Sequence, residues 1–166
     1  LDGALPTVKE RETFAEQIAA ASTLSAELNE ALPMIARSTT NADALAGLRV
    51  ALALEGARAG LRPLYDLSIQ ERREDLMTLA SKTPTIIAAL HRLHAGNNPV
   101  APRPELGYVA NYLYMLQGTI PDPRAVAGLS AYLAAAVDHG FNASTFTARV
   151  IASTGADAAS CLVGAL

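Results

Sequence analysis

A histidine lies between two alanine-rich helical patterns, in the stretch DHGFNASTFTARV that covers residues 138–150. His139 comes one residue before Gly140, a residue typical of a helix end, and three before Asn142, a residue typical of a helix start. Imidazole gains and loses a proton near neutral pH, and the amides of a helix N-terminus favour a carboxylate. The pattern is therefore compatible with a dicarboxylate site. The plainer alternative is a histidine that caps the carbonyls of a helix end.

The other two histidines, His91 and His94, are three residues apart in the sequence HRLH, on one face of a predicted helix. This spacing can bind a metal, but a metal site needs a third ligand, and neither an HExxH pattern nor an acidic partner is nearby. The favoured interpretation is a solvated helix end, and no metal site is predicted.

The remaining candidates indicate structure rather than chemistry. Arg58, Arg62 and Arg103 could each bind an anion, but isolated arginines usually form surface ion pairs. Cys161 lies in an apolar run without a basic neighbour, which predicts a core residue and not a nucleophile. The sequence contains no catalytic dyad, phosphate-binding loop or nucleophile elbow, so no catalytic residue is predicted within this chain.

Cap signals in the sequence predict the helices that would position these residues. TVKE from Thr7 and SIQE from Ser68 are capping boxes. Other helices are predicted from the following start and stop signals: Asn41 to Gly56, Pro84 in the first turn to Gly96, Asp122 and Pro123 to Gly140, Asn142 to Gly155, and a last helix from about Asp157. No alternating strand pattern is found. We therefore predict an all-α fold, a bundle of seven or eight helices in a single domain over residues 1–166.

Composition supports the same fold and limits the partners. Hydrophobic residues make up 51% of the chain and aromatic residues 5%, which favours closely packed helices. A net charge of −3 gives no reason to expect nucleic acid, and the apolar run at 125–137 is too short to cross a membrane. A single cysteine and the lack of a signal-peptide pattern predict a cytoplasmic protein. The first residue is Leu and the last pattern is an uncapped apolar helix, which predicts a piece of a longer polypeptide.

Three stretches together resemble the citrate synthase family. They are SKTPTIIAALHRLHAGNNPVAPRPELGYVANYLYML at 81–116, GTIPDPRAVAGLSAYLAAAVDHGFNASTFTARVIASTGAD at 118–157, and, more weakly, the segment from LDGALPT to LRVALALEG. The resemblance implies the first part of the family's large helical domain, including helices of its dimer interface. The family's GPxHGG motif, its further catalytic residues and its small CoA-binding domain have no counterpart in this sequence.

The resemblance implies a condensation of acetyl-CoA with oxaloacetate to give citrate and CoA. Acetyl-CoA would be a substrate, with no cofactor, and the enzyme a homodimer. His139 would hydrogen-bond oxaloacetate, and Asn142 would support the same ligand or only cap its helix. Many family members read HxDHE, whereas Ala136 and Gly140 stand here in place of His and Glu. This departure leaves a 2-methylcitrate synthase as an alternative parent.

A second class of function is compatible with the same sequence. A truncated, non-enzymatic relative could use the apolar sequences SAYLAAAV and STFTARVIAST for association alone. Under either hypothesis the 166-residue chain alone is predicted to be inactive, because the residues that carry the family's acid and base are absent from it.

Overall fold

The fold is all-helical in the computed structural model, which describes residues 4–40, 43–137 and 140–166. Within these ranges the chain forms eight α-helices, a short 3-10 turn and no strand. The helices are α1 (Val8–Ala21), α2 (Ala26–Ser38), α3 (Ala44–Ala59), α4 (Ile69–His94), α5 (Tyr108–Gln117), α6 (Pro123–Ala136), α7 (Ala143–Ala152) and α8 (Ala158–Ala165), with the 3-10 turn at Leu64–Asp66. The predicted all-α fold is confirmed.

Side-chain caps begin most of these helices where the sequence predicts them. At α1 the Thr7 hydroxyl accepts from the Glu10 amide, and the Glu10 carboxylate accepts from the Thr7 amide in return. Ser68 and Glu71 repeat this capping box at α4. Asp122 caps α6, with Pro123 in its first turn. Each cap satisfies amides that the helix itself leaves without a partner.

Helix α3 differs from the prediction at both ends. Asp43 is its N-cap and accepts from the Ala46 amide at 3.1 Å, whereas the predicted cap, Asn41, lies outside the described residues. The helix does not stop at Gly56 but continues to Ala59 and ends at Gly60, where φ is +62°. The predicted end was wrong because Gly56 has another use. It lets α3 approach α8 so closely that an added Cβ would lie 2.4 Å from the Ala159 Cβ.

Helix α4 is one continuous helix of 26 residues, with Pro84 in its interior. The prediction that Pro84 opens a separate helix was wrong. Proline removes one backbone hydrogen bond and crowds the preceding turn, but burial of α4 on both sides of the proline outweighs that cost. Leu79 and Ile86 are almost completely buried, so the packing of the whole bundle, and not local propensity, fixes the helix here.

The core surrounds α4, which packs against α1, α2, α3, α5 and α8. Helix α3 also lies against α2 and α8. Most of the large side chains of the core are leucine and isoleucine from three helices, α2, α3 and α4: Leu28, Leu32, Ile35, Leu48, Leu52, Leu79, Ile86 and Leu90. The alanine-rich and leucine-rich composition thus produces close helix packing, as predicted.

Helices α6 and α7 lie at the margin of this bundle. Helix α6 packs along α5 and α7 packs along α8, and no residue of either helix is buried in the part of the chain that the structure describes. Large apolar side chains of this region are exposed: Tyr132, Leu133, Val137, Phe141, Phe146 and Val150. None of the described helices is long and apolar enough to span a membrane.

Replacing Gly56 with Ala is expected to lower the free energy of unfolding by about 1–3 kcal/mol, because the new methyl group overlaps Ala159 and forces α3 and α8 apart. Gly128 is the matched control, since it lies inside α6 and an added Cβ there meets no atom within 4 Å. Gly128→Ala should therefore stabilise the protein by up to about 1 kcal/mol. Urea unfolding followed by circular dichroism measures both changes. Equal midpoints for the two variants would contradict the close approach.

Candidate functional site

The predicted site lies where the chain passes from α6 to α7. Helix α7 begins at Asn142, whose side-chain oxygen accepts from the Thr145 amide at 2.7 Å. The capping role predicted for Asn142 is confirmed. His139 lies outside the described residues, so neither of its predicted roles, dicarboxylate ligand or carbonyl cap, is tested by the structure.

A tight turn leads into α7 directly after His139 in the sequence. Gly140 has a φ of +98°, a value that side chains with a Cβ rarely adopt. The Asn142 amide donates to the Gly140 carbonyl at 3.2 Å and closes the turn. This backbone therefore favours glycine at position 140. The turn ends at the positive end of the α7 dipole, which favours a negatively charged ligand.

Two side chains of α7 contact the ring of Phe141, which lies in this turn. The rings of Phe141 and Phe146 meet edge to face, with centroids 5.8 Å apart and an interplanar angle of 71°. The Arg149 guanidinium lies over the same Phe141 ring, with its Cζ 5.5 Å from the ring centroid. We call Phe141, Phe146 and Arg149 the α7 cluster. It joins the turn to the first two turns of α7, although all three side chains are exposed.

The other end of α7 is anchored on the 3-10 turn that follows α3. The Tyr65 hydroxyl donates to the Ser153 carbonyl at 2.8 Å, and the Leu64 amide donates to the Ala156 carbonyl at 3.1 Å. Asp157 then caps α8 by accepting from the Ser160 amide and hydroxyl. Burial raises the pKa of Asp157, but these hydrogen bonds outweigh it, so the pKa lies below its usual value. Helix α7 is thereby held in register with the core.

A buried ion cluster between α3 and α4 was missed by the sequence analysis. Glu55 is only 1% exposed and accepts hydrogen bonds from Lys82 Nζ and, at 2.8 Å, from Arg58 Nη2. Burial raises the pKa of Glu55, but the hydrogen bonds from Arg58 and Lys82 outweigh it and lower the pKa below its usual value. The signal in the sequence was a carboxylate inside the apolar run ALALEG, together with a lysine just before Pro84.

The arginines and the cysteine mostly follow their predictions. Arg62 forms an exposed ion pair with Glu71 at 2.7 Å, and Arg103 lies over the Tyr114 ring at 4.7 Å. Arg58 differs, because its partner is a buried carboxylate and not a surface one. Cys161 is a buried core residue, as predicted, and burial raises the pKa of its thiol.

His94 does not lie at a solvated helix end. Its Nε2 bonds to the carbonyls of Ala36 at 3.1 Å and Thr39 at 3.2 Å, so it caps the C-terminus of α2. The prediction failed because it considered only the helix that carries the histidine. His91 is exposed, as predicted. Among the described residues, no three His, Cys, Asp or Glu side chains come close enough together to hold a metal ion.

This arrangement of helices is that of known citrate synthase structures. The chain superimposes on the citrate synthase of Pyrobaculum aerophilum with a TM-score of 0.81 and 31% identity, covering 98% of this chain and 42% of that one. The citrate synthase of Thermotoga maritima gives a TM-score of 0.77 and 34% identity, with 98% and 40% covered. The class is therefore an all-α protein with the fold of part of a citrate synthase.

The sequence comparisons agree with the fold. The family model "Citrate synthase, C-terminal domain" matches residues 1–166, and the chain belongs to that family. It is 36% identical to a citrate synthase of Synechocystis, covering 92% of this chain and 37% of the relative. It is also 32% identical to a 2-methylcitrate synthase of Mycobacterium tuberculosis, covering 99% and 40%. The chain thus spans about two fifths of the length of these relatives.

Proposed function

We propose that the polypeptide carrying this chain is a citrate synthase, an acyltransferase that condenses acetyl-CoA with oxaloacetate to give citrate and CoA. The observation that carries the proposal is the family match over residues 1–166. Proteins named citrate synthase in three organisms support it, each with at least 32% identity over more than nine tenths of this chain. The enzyme would be cytoplasmic and would use acetyl-CoA as a substrate, with no cofactor.

Within this enzyme, His139 and Asn142 belong to the oxaloacetate pocket. Asn142 begins α7, whose N-terminal dipole attracts carboxylates. His139 comes directly before the tight Gly140–Asn142 turn in the sequence, and its imidazole would hydrogen-bond one oxygen of oxaloacetate. Both residues match the family pattern DHxxNAST as it stands in this chain.

The reaction removes a proton from the acetyl methyl group, and the resulting enol carbon attacks the ketone carbon of oxaloacetate. Water then cleaves the thioester and releases CoA, which balances the reaction. Such a step needs a base for the methyl proton and an acid for the thioester oxygen. No residue of this chain is assigned to either role. The part played here is to bind and orient oxaloacetate.

The proposal is tested by measuring CoA release from acetyl-CoA and oxaloacetate. Two polypeptides are compared: the 166-residue chain and the complete product of its gene, whose length an intact mass establishes. We expect CoA release from a product more than twice as heavy as 17.3 kDa and none from the chain alone. A complete product that releases CoA faster from propionyl-CoA would support the 2-methylcitrate synthase alternative. Absence of release with either thioester would refute the proposed enzyme.

A second candidate function is a helical association module without enzymatic activity. It is favoured by the exposed apolar side chains of α6 and α7, such as Tyr132 and Phe146. Both candidates include self-association, as a homodimer in the enzyme, and sedimentation over a range of concentrations measures it. A self-associating gene product of 17.3 kDa without CoA release would favour the module.

A further inference from the structure

We infer that Arg149 is a positioning residue of the oxaloacetate pocket, which it supports by stacking on Phe141. The inference rests on the proposed function, because the pocket itself is assigned there. Arg149 needs no contact with substrate in this role. It acts on the Gly140–Asn142 turn, which joins the two residues proposed to bind oxaloacetate.

The turn is hydrogen-bonded within itself and to the first turn of α7. Asn142 N–H donates to the Gly140 carbonyl at 3.2 Å, and the Asn142 side chain is directed to the Thr145 amide at 2.7 Å. Gly140 has a positive φ, and glycine loses more backbone freedom on ordering than any other residue. A contact that holds the intervening residue, Phe141, therefore restricts the whole turn.

The α7 cluster supplies this contact from inside a regular helix. Phe146 and Arg149 are three residues apart on α7 and so lie on the same face. The Phe146 and Phe141 rings pack edge to face, and the Arg149 guanidinium lies 5.5 Å from the centroid of the Phe141 ring. Edge-to-face ring pairs and cations over ring faces are both attractive. Helix α7 is anchored at its far end by the hydrogen bond from Tyr65 to Ser153. The α7 cluster therefore holds the turn in a fixed position relative to an anchored helix.

This role accounts for an otherwise unusual feature. Phe141 is 64% exposed, so burial in the core does not explain a large ring in a tight turn. Its neighbours on both sides have backbone functions, the positive φ of Gly140 and the cap of Asn142. The Phe141 side chain gives α7 a second hold on the turn, beside the cap at Asn142.

The first test measures the turn itself, by amide hydrogen exchange of Asn142 and Thr145 in the gene product. Arg149→Met keeps an unbranched apolar side chain but removes the cation. We expect exchange at both amides to become about two- to five-fold faster, the factor that a cation–ring contact at an exposed site supports. Arg149→Lys, which keeps the charge, should lie between Met and wild type. Arg11→Met, at an exposed arginine of α1, is the matched control. Unchanged exchange in Arg149→Met would overturn the inference, whatever the activity.

The second test links the turn to the substrate. In Arg149→Met the KM for oxaloacetate should rise by about two- to five-fold, with kcat and the KM for acetyl-CoA unchanged. Phe141→Leu also removes the ring contact with Phe146, so it should raise this KM at least as much. The double variant should be no worse than Phe141→Leu alone, because that variant already lacks the Arg149 contact. A merely structural role would instead lower the thermal stability and the active fraction without this split. Wild-type protein without turnover would refute the proposed function, and the exchange result would then still decide whether Arg149 holds the turn.

Discussion

Replacing Lys82 with Met is expected to lower the free energy of unfolding by about 3 kcal/mol. The side chain of Glu55 is 1% exposed and that of Lys82 is 10% exposed, so the substitution leaves a carboxylate in the core without one of its two cations. Removing one partner of a buried ion pair costs about 3–5 kcal/mol. We expect the lower end of that range because Arg58 still donates to Glu55. Urea unfolding followed by circular dichroism at neutral pH measures the change.

Two variants separate the buried pair from any general effect of losing a charge. The Arg62–Glu71 pair is exposed on both sides, so Arg62→Met should cost less than about 1 kcal/mol. The double variant Glu55→Met with Lys82→Met removes both charges from the core. It should recover most of the stability, since apolar residues commonly replace a buried pair without loss. A double variant as unstable as Lys82→Met would show that packing of the lysine stem, and not the carboxylate, is responsible.

The pH dependence of the free energy of unfolding is an independent test of the same ion cluster. In the folded protein burial raises the pKa of Glu55, but the hydrogen bonds from Arg58 and Lys82 outweigh it and hold the pKa below its ordinary value of 4.5. The unfolded state therefore binds the proton more readily, and the ion cluster contributes its full stability above pH 4.5. That contribution is lost as the pH falls through the lowered pKa. The stability difference between wild type and the double variant should accordingly shift in favour of the double variant in acid.

Local sequence signals predicted several of the helices that begin with a side-chain cap. Thr7 and Ser68 form the predicted capping boxes, and Asn142 caps α7. These signals work because a cap satisfies amides within four residues of itself, so all the information lies in one short stretch. The same reason explains why the all-α fold was evident before any packing was known.

The features that the sequence did not predict depend on residues far apart in the chain. Pro84 looked like a helix start, but burial of the flanking turns of α4 keeps the helix continuous. Gly56 was predicted as a helix end, but the absence of a side chain there lets Ala159, about one hundred positions later in the chain, pack directly against α3. His94 caps α2 and not its own helix. In each case a local pattern fits two structures, and only tertiary contact chooses between them.

The candidate site was predictable in part for the same reason. The cap at Asn142 is local, whereas the α7 cluster needs the fold of the turn to bring Arg149 over Phe141. The role of His139 was taken from a resemblance and concerns residues outside the described ranges. Experiment on that residue therefore carries the most weight for the proposed function.

Replacing His139 with Ala in the gene product is expected to lower kcat/KM for oxaloacetate by about 10- to 150-fold. Loss of one hydrogen bond to a charged group costs about 1.5–3 kcal/mol, and each 1.4 kcal/mol is a factor of ten. His91→Ala is the matched control, because His91 is exposed on α4 and belongs to no proposed site. Initial rates of CoA release at varied oxaloacetate concentration measure both variants.

The same variant decides between the two roles that the sequence left open for His139. A ligand to oxaloacetate, when removed, changes kcat/KM and leaves the urea midpoint near that of wild type. A cap of helix carbonyls, when removed, lowers the midpoint and leaves kcat/KM of the folded fraction unchanged. Asn142→Ser adds a comparison, since serine preserves the cap at Thr145 but lacks the amide. If Asn142→Ser retains full kcat/KM while His139→Ala does not, only the histidine of these two residues binds oxaloacetate, and Asn142 serves to begin α7.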